Sequence, residues 1–257
     1  MTMVKPKKHL GQHFLADKNI AAKIASCLSG DFINVCEIGP GTGVLTEPIL
    51  KQNNLQRLKL IEIDNESVEY LHENFHDDRI TIIEADFLKM ELSEIFTDKF
   101  AVAGNFPYNI SSQIFFKIIG YRDLIPEVVG MIQKEVAERL ASPPGNKTYG
   151  ILSVILQAWY DIEYCFTVNE NVFIPPPKVK SAVIKLTRNN TAELNCDEKL
   201  FVRVVKAAFH HRRKTVNNNM KFICSKALPK HELLTKRAEQ LSVEDFVNLT
   251  NLVSPNI

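Results

Sequence analysis

An apolar strand that runs without a break into a glycine loop and then a helix leaves few folds open. Phe32-Ile33-Asn34-Val35-Cys36-Glu37-Ile38 reads as a buried strand, Gly39-Pro40-Gly41-Thr42-Gly43 as the loop, and Val44 to Leu50 as the helix. Glycines such as Gly39 and Gly41 let a ligand approach the backbone closely, and the helix start presents unpaired N–H groups to its polar end. This arrangement opens an α/β sheet of the kind that holds ligands beyond the carboxyl ends of its strands. A dinucleotide fingerprint would need a third glycine where the chain has Val44. The G-x-G-x-G spacing therefore favours a different cofactor from the nicotinamide of a dehydrogenase.

Polar residues stand at the ends of the next strands. Leu58 to Asp64 reads as the second strand and carries Glu62 about twenty residues past the loop, where a carboxylate accepts hydrogen bonds from ribose hydroxyls. A solvated carboxylate at a strand end is the competing reading, and the flanking Ile61 and Ile63 weigh against it. Ile80 to Asp86 reads as the third strand, with Asp86 placed to accept from an adenine amine.

Lys99 to Gly104 reads as a fourth strand, and Asn105-Phe106-Pro107-Tyr108 emerges from its end. This tetrapeptide suits a planar amine. The exocyclic amine of a base is a weak nucleophile because its lone pair is delocalised into the ring. The side-chain oxygen of Asn105 accepts one hydrogen bond from such an amine. The Phe106 carbonyl accepts a second, since Pro107 biases the residue before it toward extended backbone. Two acceptors draw the lone pair out of conjugation, and Tyr108 stacks on a base held out of its helix. A proline turn after a strand is the plainer alternative for these four residues taken alone.

Elsewhere Asp17 is placed to cap a helix with Ile20, Ile24, Cys27 and Leu28 on one face, and Gly30 to end it. Further helices are expected after Ile110, over residues 133–139 and over 151–159, with Trp159 in the core. Two more strands, 160–167 and 179–187, complete the sheet. The intervening Pro175-Pro176-Pro177 is a stiff excursion that either crosses the sheet end or shapes a pocket. From Arg188 the pattern becomes helical only: residues 197–209, roughly 214–225, and a last helix capped by Ser242 with Asp245. The expected division is thus an α/β domain over 1–187 and a small all-helical domain over 188–257.

The charge is divided in the same way. Residues 1–187 hold 19 Lys and Arg against 23 Asp and Glu, and residues 188–257 hold 12 against 7. That asymmetry points to a polyanion engaged partly by the carboxyl-terminal segment. Candidate phosphate contacts are Arg212, Arg213 and Lys214 in the densest basic run, and Lys7 and Lys8 near the start. A solvated charge run is the alternative for each cluster. The five scattered cysteines lack paired spacing, so free thiols and no metal site are expected. No apolar run reaches membrane-spanning length and the basic start lacks a signal-peptide core, so a cytoplasmic monomer away from membranes is expected.

In order, KHLGQHFL, EIGPGTGVLTEPIL, IEID, EADF, GNFPYNISS, QKEVAERL, VFIPPPKVKSAV and FHHRRKT resemble the ribosomal RNA adenine dimethyltransferase family over Lys8 to about Asn219. The resemblance implies a Rossmann-like methyltransferase domain that uses S-adenosyl-L-methionine. It further implies N6,N6-dimethylation of two adjacent adenines in the 3′-terminal hairpin of 16S rRNA, in the small ribosomal subunit or its precursor. Cofactor contacts carried over from the family fall on His13, Leu15, Gly39, Glu62, Asp86 and Asn105. The family usually has asparagine at His13, so a backbone contact is expected there, and Phe106 replaces a more usual leucine. The PPPKVKSAV and RRKT stretches favour the housekeeping branch over the one that confers macrolide resistance by modifying large-subunit RNA. An RNA-binding assembly factor with methylation secondary is the reading from another class.

Overall fold

The computed structural model of the chain describes residues 4–257. A two-residue strand β1 (Phe14–Leu15) precedes helix α1 (Lys18–Ala25). Asp17 Oδ1 accepts from the backbone N–H of Asn19 at 2.8 Å and of Ile20 at 3.1 Å, the expected cap. Strand β2 (Asn34–Ile38) is buried along its whole length. The glycine loop then coils through turns before a short helix α2 (Thr46–Ile49), which begins later than the periodicity predicts because residues 41–45 are still turning.

Strand β3 (Arg57–Glu62), helix α3 (Asn65–Asn74), strand β4 (Ile80–Glu84), helix α4 (Leu92–Ile95), strand β5 (Ala101–Asn105), helix α5 (Ser111–Gly120) and strand β6 (Glu127–Gln133) follow. Helix α6 (Lys134–Ala141), helix α7 (Ile151–Gln157), strand β7 (Tyr160–Val168), strand β8 (Phe173–Ile174) and strand β9 (Ser181–Arg188) come next. Seven strands form one sheet in the order β4-β3-β2-β5-β6-β9-β7. Strands β2 to β6 pair in parallel, and β9 runs antiparallel to β6. After β2 the chain winds outward on one side through β3 and β4, then returns to start β5 on the other. The strand order therefore reverses between β2 and β5, and such a switch point opens a crevice at the carboxyl ends of the strands. Strands β1 and β8 form a separate antiparallel pair, Phe14 opposite Ile174 and Leu15 opposite Phe173. Two residues carry no readable periodicity, so neither short strand is foreseen from sequence.

The chain divides into two compact units. One takes the described residues up to Ala137 with Ile162–Arg188, and the other takes Glu138–Asp161 with Asn189–Ile257. Sequence alone suggests a single boundary after residue 187, whereas residues 138–161 group with the carboxyl-terminal segment. The cause lies in large aromatic side chains. The buried Trp159 packs edge-on against Phe201, ring centroids 6.2 Å apart, and Tyr149 meets Phe209 at 6.4 Å.

Within the second unit, α8 (Glu198–Ala208), α9 (Val216–Met220) and α10 (Val243–Val253) follow one another. Ser242 and Asp245 exchange side-chain to backbone bonds at 3.0 Å in a capping box that starts α10. Helix α9 is shorter than the expected 214–225. Its Asn217-Asn218-Asn219 run is poor helix former, and Asn218 and Asn219 spend their amides on Thr215 Oγ1 and the Ala208 carbonyl. No helix among the described residues is long and apolar enough to cross a membrane.

Candidate active site

A cavity of about 290 Å³ opens at the carboxyl ends of β2, β3 and β5. Gly39, Gly41, Glu62, Asp86, Asn105, Phe106, Pro107, Tyr108 and His13 all line it, so residues distant in sequence converge on one place. Much of the remaining wall is apolar, from Ile38, Ile61, Ile63, Phe14 and Leu88, with His9, Gln12 and Asn109 as further polar lining.

Gly39, Gly41 and Gly43 all have positive φ, and at Gly41 and Gly43 a side chain also has no room. Gly41 has φ 56°, and a Cβ there would stand 2.8 Å from the Phe14 ring. Glu62 holds this loop in place. Its Oε2 accepts from the Gly41 N–H at 3.0 Å, and its Oε1 accepts from Ile63 and Asp64 N–H at 2.9 and 3.0 Å. Burial pushes the Glu62 carboxyl above its ordinary pKa, and the three amides pull against that. Two carboxylate oxygens offer about four acceptor sites, so Glu62 keeps capacity for a further donor.

Asp86 Oδ1 accepts from the Leu88 N–H at 3.0 Å and starts a short 3₁₀ turn. Its Oδ2 has a looser contact, 3.5 Å to the exposed Lys89, and is open to another donor.

Asn105 is the last residue of β5. Its Nδ2 donates to the His13 carbonyl at 2.8 Å. With the amide nitrogen committed, Oδ1 is the free end and it is an acceptor. The Phe106 N–H donates to the Met131 carbonyl at 3.0 Å, which carries the sheet ladder one residue past β5. No donor among the described residues reaches the Phe106 carbonyl. The Phe106 ring is buried between two glycines, and a Cβ on Gly104 or Gly130 would fall 2.8 or 2.6 Å from it. Phe115 meets it edge-on at 5.8 Å. Pro107 then turns the chain, its carbonyl accepting from Ile110 N–H at 3.2 Å.

The Tyr108 hydroxyl lies 2.5 Å from Ser181 Oγ, and burial raises its phenol above the ordinary pKa. The His13 ring stacks on Tyr108, centroids 5.6 Å apart and planes 26° from parallel. His13 Nδ1 stands 2.7 Å from the Pro175 carbonyl, which only accepts, so Nδ1 carries the proton. The proline-rich excursion thus reaches the cavity wall through Pro175. The His13 carbonyl is taken by the Asn105 amide, and its ring stacks on Tyr108.

Leu15 is the candidate cofactor contact that the structure does not bring to the cavity. It is buried in the apolar core, paired with Phe173, and its neighbour Phe14 lines the wall instead. Lys7 points its ammonium at buried Asp64, with Glu66 at 3.4 Å, and so is engaged within the protein, while Lys8 is exposed. Arg212, Arg213 and Lys214 are exposed on the turn between α8 and α9, where Arg212 also donates to the Lys147 carbonyl. Sequence reasoning missed Phe14, Gly104, Gly130, Pro175 and Ser181. The last two lie within the PPPKVKSAV stretch, whose stiffness was the available signal.

A further carboxyl lies beneath the loop. Glu37 in β2 is buried, Thr46 Oγ1 donates to it at 2.6 Å, and burial raises its pKa to about 8.

The sequence profile described as "Ribosomal RNA adenine dimethylase" matches residues 3–254. The chain is 59% identical to "Ribosomal RNA small subunit methyltransferase A" of Parabacteroides distasonis, over 97% of this chain and 94% of that one. It is 57% identical to the protein of the same name from Cytophaga hutchinsonii, over 99% of both chains. Among solved structures, a dimethyladenosine transferase from Plasmodium falciparum superposes with a TM-score of 0.77 at 25% identity, covering 93% of this chain and 99% of that one.

Proposed function

We propose how this chain, which belongs to the ribosomal RNA adenine dimethylase family, uses the cavity at its strand ends. The chain is an rRNA (adenine-N6,N6)-dimethyltransferase of small-subunit biogenesis, acting on two adjacent adenines in the 3′-terminal hairpin of 16S rRNA. Identity above half along nearly the whole chain to proteins named as small-subunit rRNA methyltransferases supports that reading.

The residues present fit S-adenosyl-L-methionine. Gly41 offers bare backbone, Glu62 and Asp86 keep acceptor capacity, and the apolar wall suits a purine. In this reading Gly39 and Gly41 flank the methionine end, Glu62 takes the ribose hydroxyls and Asp86 the adenine amine. When bound, the cofactor supplies an electrophilic sulfonium methyl.

The protein's own part is acceptance and positioning. Asn105 Oδ1 and the Phe106 carbonyl accept hydrogen bonds from the N6 amine of the target adenine and draw its lone pair out of the ring; the proton made acidic by alkylation is then lost to solvent. Pro107 keeps the Phe106 carbonyl in place, and Tyr108, backed by His13 and Ser181, stacks on the flipped base. No strong general base is required, since the amine becomes acidic only after alkylation. Proximity and preorganised acceptors supply the acceleration. Exposed Lys8, Arg212, Arg213 and Lys214 are read as phosphate contacts. Lys7 is left out of that set because Asp64 and Glu66 already neutralise it.

The observation that carries this reading is the tethered Asn105 amide beside an unbonded Phe106 carbonyl. The test is transfer of labelled methyl from S-adenosylmethionine to small subunits lacking the modification, with large-subunit RNA alongside and the labelled bases mapped. Label on two adjacent adenines near the small-subunit 3′ end is expected. Label on large-subunit RNA, or none despite tight subunit binding, would overturn it.

A further inference from the structure

The turn after α8 presents an aromatic cluster that folding does not explain. Phe222, just past α9, is 61% exposed, the largest exposure of any aromatic residue among the exposed large hydrophobic side chains. The His210 ring meets it edge-on at 4.8 Å and the His211 ring at 5.4 Å, and the two imidazoles lie 4.4 Å apart. Both histidines are themselves exposed.

This cluster is held rather than loose. Asn219 is wholly buried, and its Nδ2 donates to the Ala208 carbonyl and, at 3.3 Å, to the His211 carbonyl. The Lys214 N–H closes the basic turn onto the His211 carbonyl at 2.9 Å, and the Phe222 N–H bonds to Asn219 at 3.3 Å. One buried amide therefore joins the turn that carries the histidines to the segment that carries the phenylalanine.

Its surroundings carry one sign of charge. From Lys199 to His231 the chain has nine Lys and Arg and no Asp or Glu. Arg212, Arg213, Lys214 and Lys221 are exposed immediately beside the cluster in sequence. An exposed ring among cations of one sign is the composition of a surface that takes unstacked bases: the ring supplies a face for a base and the cations supply phosphate contacts.

We propose that Phe222, braced by His210 and His211, is a stacking platform for an unpaired nucleobase of rRNA outside the catalytic cavity, with Arg213, Lys214 and Lys221 on the flanking phosphates. The platform rests on the reading of the chain as an rRNA-modifying enzyme and adds to it a second point at which RNA is held.

The experiment measures binding of the full-length chain to unmodified small subunits and to protein-free 16S rRNA over a range of salt. Phe222→Ala is expected to weaken both about tenfold, the effect of losing one base–aromatic stack, with the salt slope unchanged. Phe222→Trp is expected to bind within about twofold of the parent, while Arg213→Ala lowers the salt slope by about one. Parental affinity for Phe222→Ala, or equal weakening by Phe222→Trp, would overturn the platform. Weakening confined to intact subunits would overturn it too and assign the patch to a ribosomal protein. Methyl transfer by the parent chain separates the two readings. If the parent methylates and Phe222→Ala binds normally, only the platform fails; if Phe222→Ala weakens RNA binding but the parent never methylates, only the enzymatic reading fails.

Discussion

Asn105 Nδ2 donates to the backbone carbonyl of His13 at 2.8 Å, across 92 residues of chain. The bond decides which end of the amide is left to the cavity. Asn105→Asp keeps the shape and replaces the donor with an oxygen that the His13 carbonyl repels. Transfer by Asn105→Asp is expected to fall about a hundredfold or more, the scale of losing one preorganised polar contact at a reacting centre. Single-turnover assays with saturating RNA check this. A rate near that of the parent would show that the tether does not orient the acceptor.

Tyr108 bonds through its hydroxyl to Ser181, and its ring is proposed to stack on the target base. The two contributions separate. Tyr108→Phe keeps the ring and is expected to lose no more than about fivefold in kcat/KM, the worth of one neutral hydrogen bond. Tyr108→Ala removes the stack and is expected to lose about ten- to a hundredfold. Equal losses in both variants would move the role from the ring to the hydroxyl.

Glu62 accepts three backbone N–H groups and thereby fixes the glycine loop. Glu62→Ala is expected to weaken S-adenosylmethionine binding more than tenfold in calorimetry. It is also expected to lower the unfolding temperature, since buried amides left without acceptors cost about 1–3 kcal/mol each. Unchanged cofactor affinity in a destabilised protein would leave Glu62 a purely structural residue.

Burial raises the Glu37 carboxyl from 4.5 to about 8. Between those values the folded chain holds a proton that the unfolded chain releases, so stability falls as pH rises through the window. Below it both states are protonated and the penalty vanishes. Glu37→Gln keeps an acceptor for Thr46 and cannot ionise, so its stability is expected to be flatter by up to about 1.4 kcal/mol per pH unit between pH 5 and 8. Denaturant curves at several pH values measure this, and parallel profiles for the two proteins would contradict it.

Much of the sheet is legible because buried parallel strands such as Asn34–Ile38 and Ala101–Asn105 are short, mostly apolar runs, the first followed by Gly39 and the second ending in Asn105. Glu62, Asp86 and Asn105 stand out because they interrupt those runs at their ends. What is not legible depends on contacts across long separations. Lys7 reads as a phosphate contact until Asp64 is seen to claim it. Leu15 and Phe14 alternate across a two-residue strand whose partner lies about Phe173, so sequence gives no way to tell which faces the cavity. The grouping of 138–161 with the carboxyl-terminal segment follows from where Trp159 and Tyr149 find aromatic partners, which no local pattern records.

The most direct measurement pairs methyl transfer with RNA binding in Asn105→Ala, using unmodified small subunits and saturating S-adenosylmethionine. Loss of transfer by a thousandfold or more, with subunit affinity within about twofold of the parent, is the expected result. Transfer retained within about tenfold, or affinity lost in step with activity, would contradict the assignment of Asn105 as the residue that accepts the adenine amine.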